Sequence, residues 1–316
     1  MDLSMTTFAF VFPGQGSQAV AMLDGFAGNP VVAQTVAEAS DALQLDLGKL
    51  IAEGPKEELD LTTNTQPVML TAAVAVYRAW IAAGGARPAL VAGHSLGEYS
   101  ALVAAGVIDF KDAVPLVRFR AKAMQEAVPV GQGAMAVVLG LADEDVRAAC
   151  LEAGDGAAGV VEPVNFNAPA QVVIAGHTAA VERACELAKA KGAKRAMKLP
   201  VSAPFHSSLL KPASDRLRDY MAELHFSAPQ IALINNVDVA IVNDPAGIKD
   251  ALVRQAASPV RWVETMQKTA QQGVTHVIEC GPGKVLMGLT KRIDASLVGD
   301  AIVDQASLER VLTLLS

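Results

Sequence analysis

Aromatic residues are scarce in this chain: phenylalanine, tryptophan and tyrosine together make up 4% of 316 residues. The interior must therefore be filled by alanine, valine and leucine, and an apolar share of 52% is ample for that. Cysteine is scarcer still. Cys150, Cys185 and Cys280 are odd in number and lack metal-ligand spacing. That pattern excludes a disulfide framework and a thiolate zinc site, and predicts reduced, mostly buried thiols. No apolar run is long enough to span a bilayer. Met1 to Phe12 shows no basic n-region and no plausible cleavage site, so no signal peptide is expected. Basic residues are in deficit, with a net charge of −7, which argues against nucleic acid as the main ligand. Repeats and low-complexity stretches are absent. The expectation is a cytoplasmic protein that engages neither membrane nor nucleic acid.

What is present is an α/β alternation. A chain of 316 residues exceeds what one hydrophobic core usually organises, so two cores are expected. Phe8 to Phe12 reads as a buried strand closed by Pro13-Gly14-Gln15-Gly16. Val31 to Leu43 and Val68 to Ala82 show helical spacing, the second after Thr62 to Pro67. Ala89 to Ala92 is a short apolar run followed by a helix-like segment, Glu98 to Ala105. Strands alternating with helices point to a mostly parallel sheet covered on both faces.

The middle of the chain differs. Strands at Ala134–Gly140, Val160–Val164, Gln171–Ala175 and Arg195–Val201, with helices at Asp143–Ala153 and Ala179–Lys191, follow the order β-α-β-β-α-β of a split ferredoxin-like unit. A turn is expected at Asn165 to Pro169 and a hinge at Gly131-Gln132-Gly133. This reading divides the chain into a large α/β unit, residues 1–128 and 201–316, and a small inserted unit, residues 129–200. After the insert, Ser207 to Leu224 reads as helix, Ile231 to Asn235 as strand and Val237 to Val242 as a hairpin arm. Ser258-Pro259 reads as a helix start. Thr275 to Cys280 is a strand ending in Gly281-Pro282-Gly283, and another helix follows.

Between the apolar run and its helix lies Gly93-His94-Ser95-Leu96-Gly97. Glycines flanking a serine allow a tight, strained strand-to-helix turn that lifts the hydroxyl above the sheet and aims the next N–H at the same space. The helix N-terminus adds positive potential where an oxyanion would form. Small residues could instead merely permit close packing, but the strand before and the helix after favour Ser95 as a nucleophile.

A serine hydroxyl needs a base, and the chain has five histidines. His94 adjoins Ser95, where neighbours in a tight turn point apart. His225 ends a helix, His276 starts a strand, and His177 precedes a helix. His206, in Ser202-Ala203-Pro204-Phe205-His206-Ser207, lies between a strand ending near Val201 and a helix. Active sites of open α/β sheets gather at the carboxyl ends of strands. The alternative for His206 is a helix-capping role. On the helix read at Asp109 to Val128, Arg120 falls on the apolar face with Ala113, Leu116, Val117, Met124 and Ala127 at about 100° per residue. A guanidinium there needs an anionic partner. That partner is either a protein carboxylate, which is the commoner case, or a substrate carboxylate, for which arginine offers two parallel donors.

With these residues in hand, the chain closely resembles the malonyl-CoA:acyl-carrier-protein transacylases of fatty-acid biosynthesis. The resemblance covers nearly the whole length and is borne by Phe10 to Gln18, Ala92 to Ser100, Pro163 to Asn167, Pro200 to His206 and Glu279 to Val285. It implies Ser95 as nucleophile, His206 as base, the backbone N–H groups of Gln15 and Leu96 as oxyanion hole, and Arg120 as the holder of the malonyl carboxylate. It also implies a backbone carbonyl, that of Gln255, orienting the histidine in place of an acid. The fold it implies is a hydrolase-like large domain with a ferredoxin-like insert. Malonyl-CoA and acyl carrier protein would be the partners, with no metal or cofactor, and the enzyme is expected to be a monomer. Cys280 stands where such proteins often have another apolar residue.

Carrier proteins are acidic, so an acidic enzyme must dock them through a local basic patch. Lys189, Lys191, Lys194, Arg195 and Lys198 crowd one end of the insert, and Lys284, Lys291 and Arg292 follow the Gly281 loop. Lys194, Arg195, Lys284, Lys291 and Arg292 are the docking candidates, against the plainer reading of solvated surface charge. A serine esterase or thioesterase would share the turn but normally adds an acid before the histidine. Nucleotide binding at Gly14-Gln15-Gly16-Ser17-Gln18-Ala19 lacks the second strand and acidic residue that the dinucleotide fold requires.

Overall fold

Phe8–Phe12 (β1) is buried along its whole length, and its alternation sorts two chemistries onto two faces. Phe8, Phe10 and Phe12 enter one core, whereas Ala9 and Val11 enter another on the opposite side of the sheet. The computed structural model describes residues 7–154, 159–201 and 203–316. Helices α1 (Pro30–Leu43), α2 (Leu47–Glu53), α3 (Lys56–Leu59) and α4 (Thr62–Ala82) come next, then β2 (Leu90–Gly93), α5 (Gly97–Ala104) and α6 (Phe110–Glu126). The middle holds β3 (Gly133–Leu139), α7 (Asp143–Gly154), β4 (Val161–Ala168), β5 (Gln171–His177), α8 (Thr178–Ala190) and β6 (Arg195–Lys198). The chain then runs through α9 (Lys211–Ala222), β7 (Ala232–Ile234), α10 (Pro245–Gln255), α11 (Trp262–Gln271), β8 (His276–Cys280), α12 (Val285–Ile293), β9 (Val298–Ile302) and α13 (Gln305–Leu315).

Two sheets result. One is five-stranded and parallel, ordered β7-β2-β1-β8-β9. Because β1 lies between β2 and β8, the loops after these three strands emerge side by side at the carboxyl edge. They are Pro13 to Gly16, the Ser95 turn, and Gly281 to Gly283. The few aromatics are concentrated under this sheet, where Phe10 meets Trp80 edge-on with centroids 5.3 Å apart. The other sheet is four-stranded and antiparallel, ordered β4-β5-β3-β6. One of its faces packs Ala136, Val138, Val172 and Ile174 against α7 and α8. The opposite face sends Met135, Val173 and Ala175 toward Met124, Phe205 and Leu210 of the larger body. The α/β expectation therefore holds, with the strand and helix order of the insert as read.

Several expectations need correction. The segment Thr62 to Pro67, read as preceding the helix at Val68, forms the first turns of that helix, α4. Its hydroxyls find backbone partners there, with Thr65 Oγ1 donating to Leu59 O at 2.7 Å. Asn165 to Ala168 is not a turn but the end of β4, interrupted by register shifts, and the reversal is confined to Pro169 and Ala170. The helix expected to start at Ser258-Pro259 starts instead at Trp262. Extended backbone at Val260 is claimed by β4, giving its N–H to Val164 O at 2.8 Å and accepting from Phe166 N at 3.0 Å. The cap-and-proline signature belongs to α10, where Asp244 accepts the Gly247 N–H at 2.7 Å and Pro245 opens the helix. Ser207 to Leu224 is a short 3-10 turn followed by α9, and Val237 to Val242 makes a single bridge rather than a strand. Strand β6 stops at Lys198, short of Val201.

Candidate active site

The turn between β2 and α5 is as tight as its glycines permit. A Cβ at Gly93 would run into the Gly97 carbonyl group, and one at Gly97 would run into Phe12 O. Ser95 itself sits at φ +53, a left-handed conformation that costs a non-glycine residue roughly 1–2 kcal/mol. Asn236 holds it there: its side-chain oxygen accepts the Ser95 N–H at 2.7 Å, and its amide donates to Gly93 O at 2.7 Å.

His206 also sits at positive φ, +65, and places Nε2 2.6 Å from Ser95 Oγ. Its other nitrogen, Nδ1, lies 2.9 Å from the carbonyl oxygen of Gln255. A carbonyl can only accept, so Nδ1 carries the proton and Nε2 is left free to take one from the serine. The carbonyl is available because Gln255 is the last residue of α10, and the final carbonyls of a helix lack intrahelical partners. Burial first, and then the nearby Arg120 cation, hold the imidazole pKa down to about 3 against the opposing pull of the Gln255 carbonyl. His206 is thus neutral, with Nε2 open to accept a proton. One premise of its selection is corrected: β6 belongs to the antiparallel sheet, so His206 reaches Ser95 from the junction of the two sheets rather than from a carboxyl end of the parallel one.

Arg120 is 1% exposed on the buried face of α6. Among the described residues it meets no carboxylate within ion-pair distance. Its partners are neutral: Nη1 donates to Gln66 Oε1 at 2.9 Å, and Nη2 donates to Gln255 Oε1 at 2.9 Å and to Ser95 Oγ at 3.2 Å. Nε has no partner among the described residues. The guanidinium also lies 5.2 Å from the Tyr99 ring centroid. A buried cation held only by amides and a hydroxyl keeps its charge unneutralised and can pair with an anion that enters the site.

Ser95, His206 and Arg120 open onto a cavity of about 240 Å³ that Gln15, Leu96 and Phe205 also line. Among the described residues no acceptor takes up the N–H of Gln15 or of Leu96. Both are therefore free to bind an oxygen anion, one from the loop after β1 and the other from the start of α5. The other histidines are occupied elsewhere. His94 Nε2 meets Asn167 Oδ1 at 2.7 Å, His177 accepts the Val160 N–H, His225 pairs with Ser227, and His276 pairs with Thr275. Cys150, Cys185 and Cys280 are free and buried, and burial pushes all three thiols upward. Among the described residues no group of three or more His, Cys, Asp or Glu could hold a metal ion.

The basic candidates fall into two groups. Lys189, Lys191 and Lys198 are paired with Glu186, Glu152 and Glu182. Lys194, Arg195, Lys284 and Lys291 are exposed, and no ion pair engages them among the described residues. Arg292 donates to Gln171 Oε1 at 2.7 Å. Gln171 lines the cavity and lies across Leu139 from Arg195 in the sheet, so the two basic clusters border the same end of the cavity.

Sequence reasoning passed over Gln66, Glu98, Asn236 and the contact of Asn167 on β4 with His94. Gln66 was hidden in a polar segment placed outside the helix that follows it. Glu98 carried a weak signal, a charge in the first turn of a helix whose other residues are small or apolar.

Comparison with known proteins is consistent over the whole chain. The model of the acyl transferase domain family matches residues 9–314. A malonyl CoA-acyl carrier protein transacylase of Salmonella typhimurium is 57% identical over 310 residues, covering 98% of this chain and all of the relative. The crystal structure of an acyl-carrier-protein S-malonyltransferase from Burkholderia pseudomallei is 70% identical, covers 98% of this chain and 100% of that one, and superposes with a TM-score of 0.96. A malonyl-transacylase in complex with a type II polyketide synthase acyl-carrier protein has 54% identity, 98% and 100% coverage, and a TM-score of 0.96.

Proposed function

The chain belongs to the acyl transferase domain family and is a malonyltransferase that passes a malonyl group from malonyl-CoA to acyl carrier protein; we propose that it does so in two displacements on Ser95. The observation that carries this reading is the neutral His206 imidazole 2.6 Å from Ser95 Oγ, with the unneutralised Arg120 cation 3.2 Å from the same oxygen.

In the first displacement the Ser95 oxygen attacks the thioester carbonyl while His206 Nε2 takes its proton. The N–H groups of Gln15 and Leu96 receive the oxyanion. Collapse breaks the carbon–sulfur bond, and coenzyme A leaves as the thiol with the proton from His206. In the second, the phosphopantetheine thiol of acyl carrier protein gives its proton to His206 and attacks the malonyl-serine ester. Ser95 leaves and recovers the proton. The thioester is already activated, so these steps call for no metal or cofactor. Arg120 receives the malonyl carboxylate. Pairing removes part of the positive field that depresses His206, so a carboxylated acyl group strengthens its own base, whereas an acetyl group leaves Arg120 unpaired.

Glu98 is the buried acid nearest this chemistry, and it bonds Gln255 and Asn236 rather than His206, which weighs against an esterase triad. Lys194, Arg195, Lys284, Lys291 and Arg292 are proposed as the docking surface for the carrier, since they border the end of the cavity that Gln171 lines. Intact-mass measurement after mixing with malonyl-CoA tests the two displacements. The expected result is a persistent malonyl adduct at Ser95 that holo carrier protein discharges; immediate return to free enzyme with loss of malonyl-CoA to water would mean hydrolysis instead.

A further inference from the structure

Glu98 lies in the first turn of α5, beneath the Ser95 turn, and is only 2% exposed. It does not line the cavity, and the displacements on Ser95 make no use of it. Its Oε2 nevertheless accepts two hydrogen bonds, from Gln255 Nε2 at 2.9 Å and from the Asn236 backbone N–H at 3.0 Å. The first bond matters because a glutamine side chain is sterically near-symmetric and can present either end of its amide. Gln255 Nε2 is committed to Glu98 and to the Ser95 carbonyl at 3.0 Å, so Oε1 must face Arg120, where it accepts from Nη2 at 2.9 Å. Reversing the amide would set oxygen against the Glu98 oxygen and N–H against the guanidinium, losing both bonds and opposing like groups.

We propose that Glu98 is a positioning residue for malonyl selection: by fixing which end of the Gln255 amide faces Arg120, it holds the guanidinium where a substrate carboxylate can pair with it. The inference rests on the reading of Arg120 given above. What Glu98 supplies is a placed acceptor oxygen. Burial raises its carboxyl pKa to about 7, so near neutral pH a proton sits on the group for much of the time while Oε2 goes on accepting. An acceptor of the right reach should therefore suffice, and a negative charge of the wrong reach should not.

That contrast sets the experiment: kcat/KM for acylation by malonyl-CoA and by acetyl-CoA, in the full-length enzyme and in Arg120→Ala, Glu98→Asp and Glu98→Gln. The parent should prefer malonyl, and Arg120→Ala should erase the preference; failure of either overturns the reading of Arg120 and this inference with it. With both in place, Glu98→Asp keeps the charge but retracts the oxygen by one methylene, and should lower the malonyl-to-acetyl ratio by about tenfold or more with an unfolding midpoint near that of the parent. Glu98→Gln loses the charge but keeps an oxygen of the same reach, and should hold the ratio within about threefold. An unchanged ratio in Glu98→Asp, or a loss in Glu98→Gln as large as in Glu98→Asp, overturns the proposal alone. If Glu98→Asp does not fold, Gln255→Leu reads the same link from its other end, because the backbone carbonyl on His206 is retained. It should lower the ratio by about tenfold, and an unchanged ratio overturns the proposal.

Discussion

The two sheets of this molecule divide the work by how they are covered. Strand β1 of the parallel sheet has no exposed face, and β8, buried at all but its first residue, runs close to that. Such a sheet is clamped between cores on both sides, and the loops at its carboxyl edge are held on rigid supports. The Ser95 turn, with its left-handed serine, sits there. The antiparallel sheet gives one face to its own small core and the other to the cavity wall. Its edge strand β6 is open, with Arg195, Met197 and Lys198 exposed and only Ala196 buried. The strained serine is held at the edge of the parallel sheet, and exposed charge is displayed on the open edge strand of the antiparallel one.

Removing Ser95 tests that division most severely. Ser95→Ala should lower transfer by about four orders of magnitude and abolish the mass adduct. Persistent transfer would place the chemistry away from the parallel edge. Next come the cores themselves. Phe10→Ala, cutting into the aromatic cluster under the parallel sheet, should cost about 3–5 kcal/mol in denaturant unfolding, whereas Val172→Ala in the insert should cost about 2 kcal/mol. A Val172 variant as damaging as the Phe10 variant would show the antiparallel sheet to be equally critical to stability. Charge reversal on the open strand is milder. Arg195→Glu should raise KM for acyl carrier protein by about three- to tenfold and leave KM for malonyl-CoA near the parent value; equal effects on both would remove β6 from docking.

The smallest expected effect is in the pH profile. His206 must be neutral to act, and in the free enzyme burial and Arg120 hold its pKa down to about 3. The acid limb of kcat/KM, which reports the free enzyme, should therefore lie far below that of an ordinary imidazole. In the malonyl complex Arg120 is neutralised, the His206 pKa rises, and activity is lost at higher pH as the solution is acidified. The acid limb of kcat should accordingly lie above that of kcat/KM. Coincident limbs would show that Arg120 does not govern the base.

Much of this was legible without coordinates, for identifiable reasons. Ser95 announced itself because strain demands a local signature, glycines on both sides of a serine between a strand and a helix. Arg120 was visible as a charge on an apolar helix face. His206 emerged from a small set of histidines, although the reason given for its position was partly wrong. The misassigned segments share one cause. Val260 has a side chain suited to strand or helix, and its extended form was decided by the hydrogen bonds β4 offered it. Thr62 to Pro67 looks like a loop until its hydroxyls and Gln66 find partners. In each case a distant segment decided between local options of similar energy.

The amino-acid order by itself determined the alternation of elements, the strained serine turn, the buried arginine and the supply of neutral thiols, because each follows from near neighbours along the chain. Only the tertiary structure decided that a helix-terminal carbonyl would orient His206, that amides rather than acids would hold Arg120, and that Glu98 would bond Gln255 from beneath. Those relations join groups separated by 49 to 157 residues. A hydrogen bond acts over about 3 Å, so only folding can choose which distant donor and acceptor come within that reach.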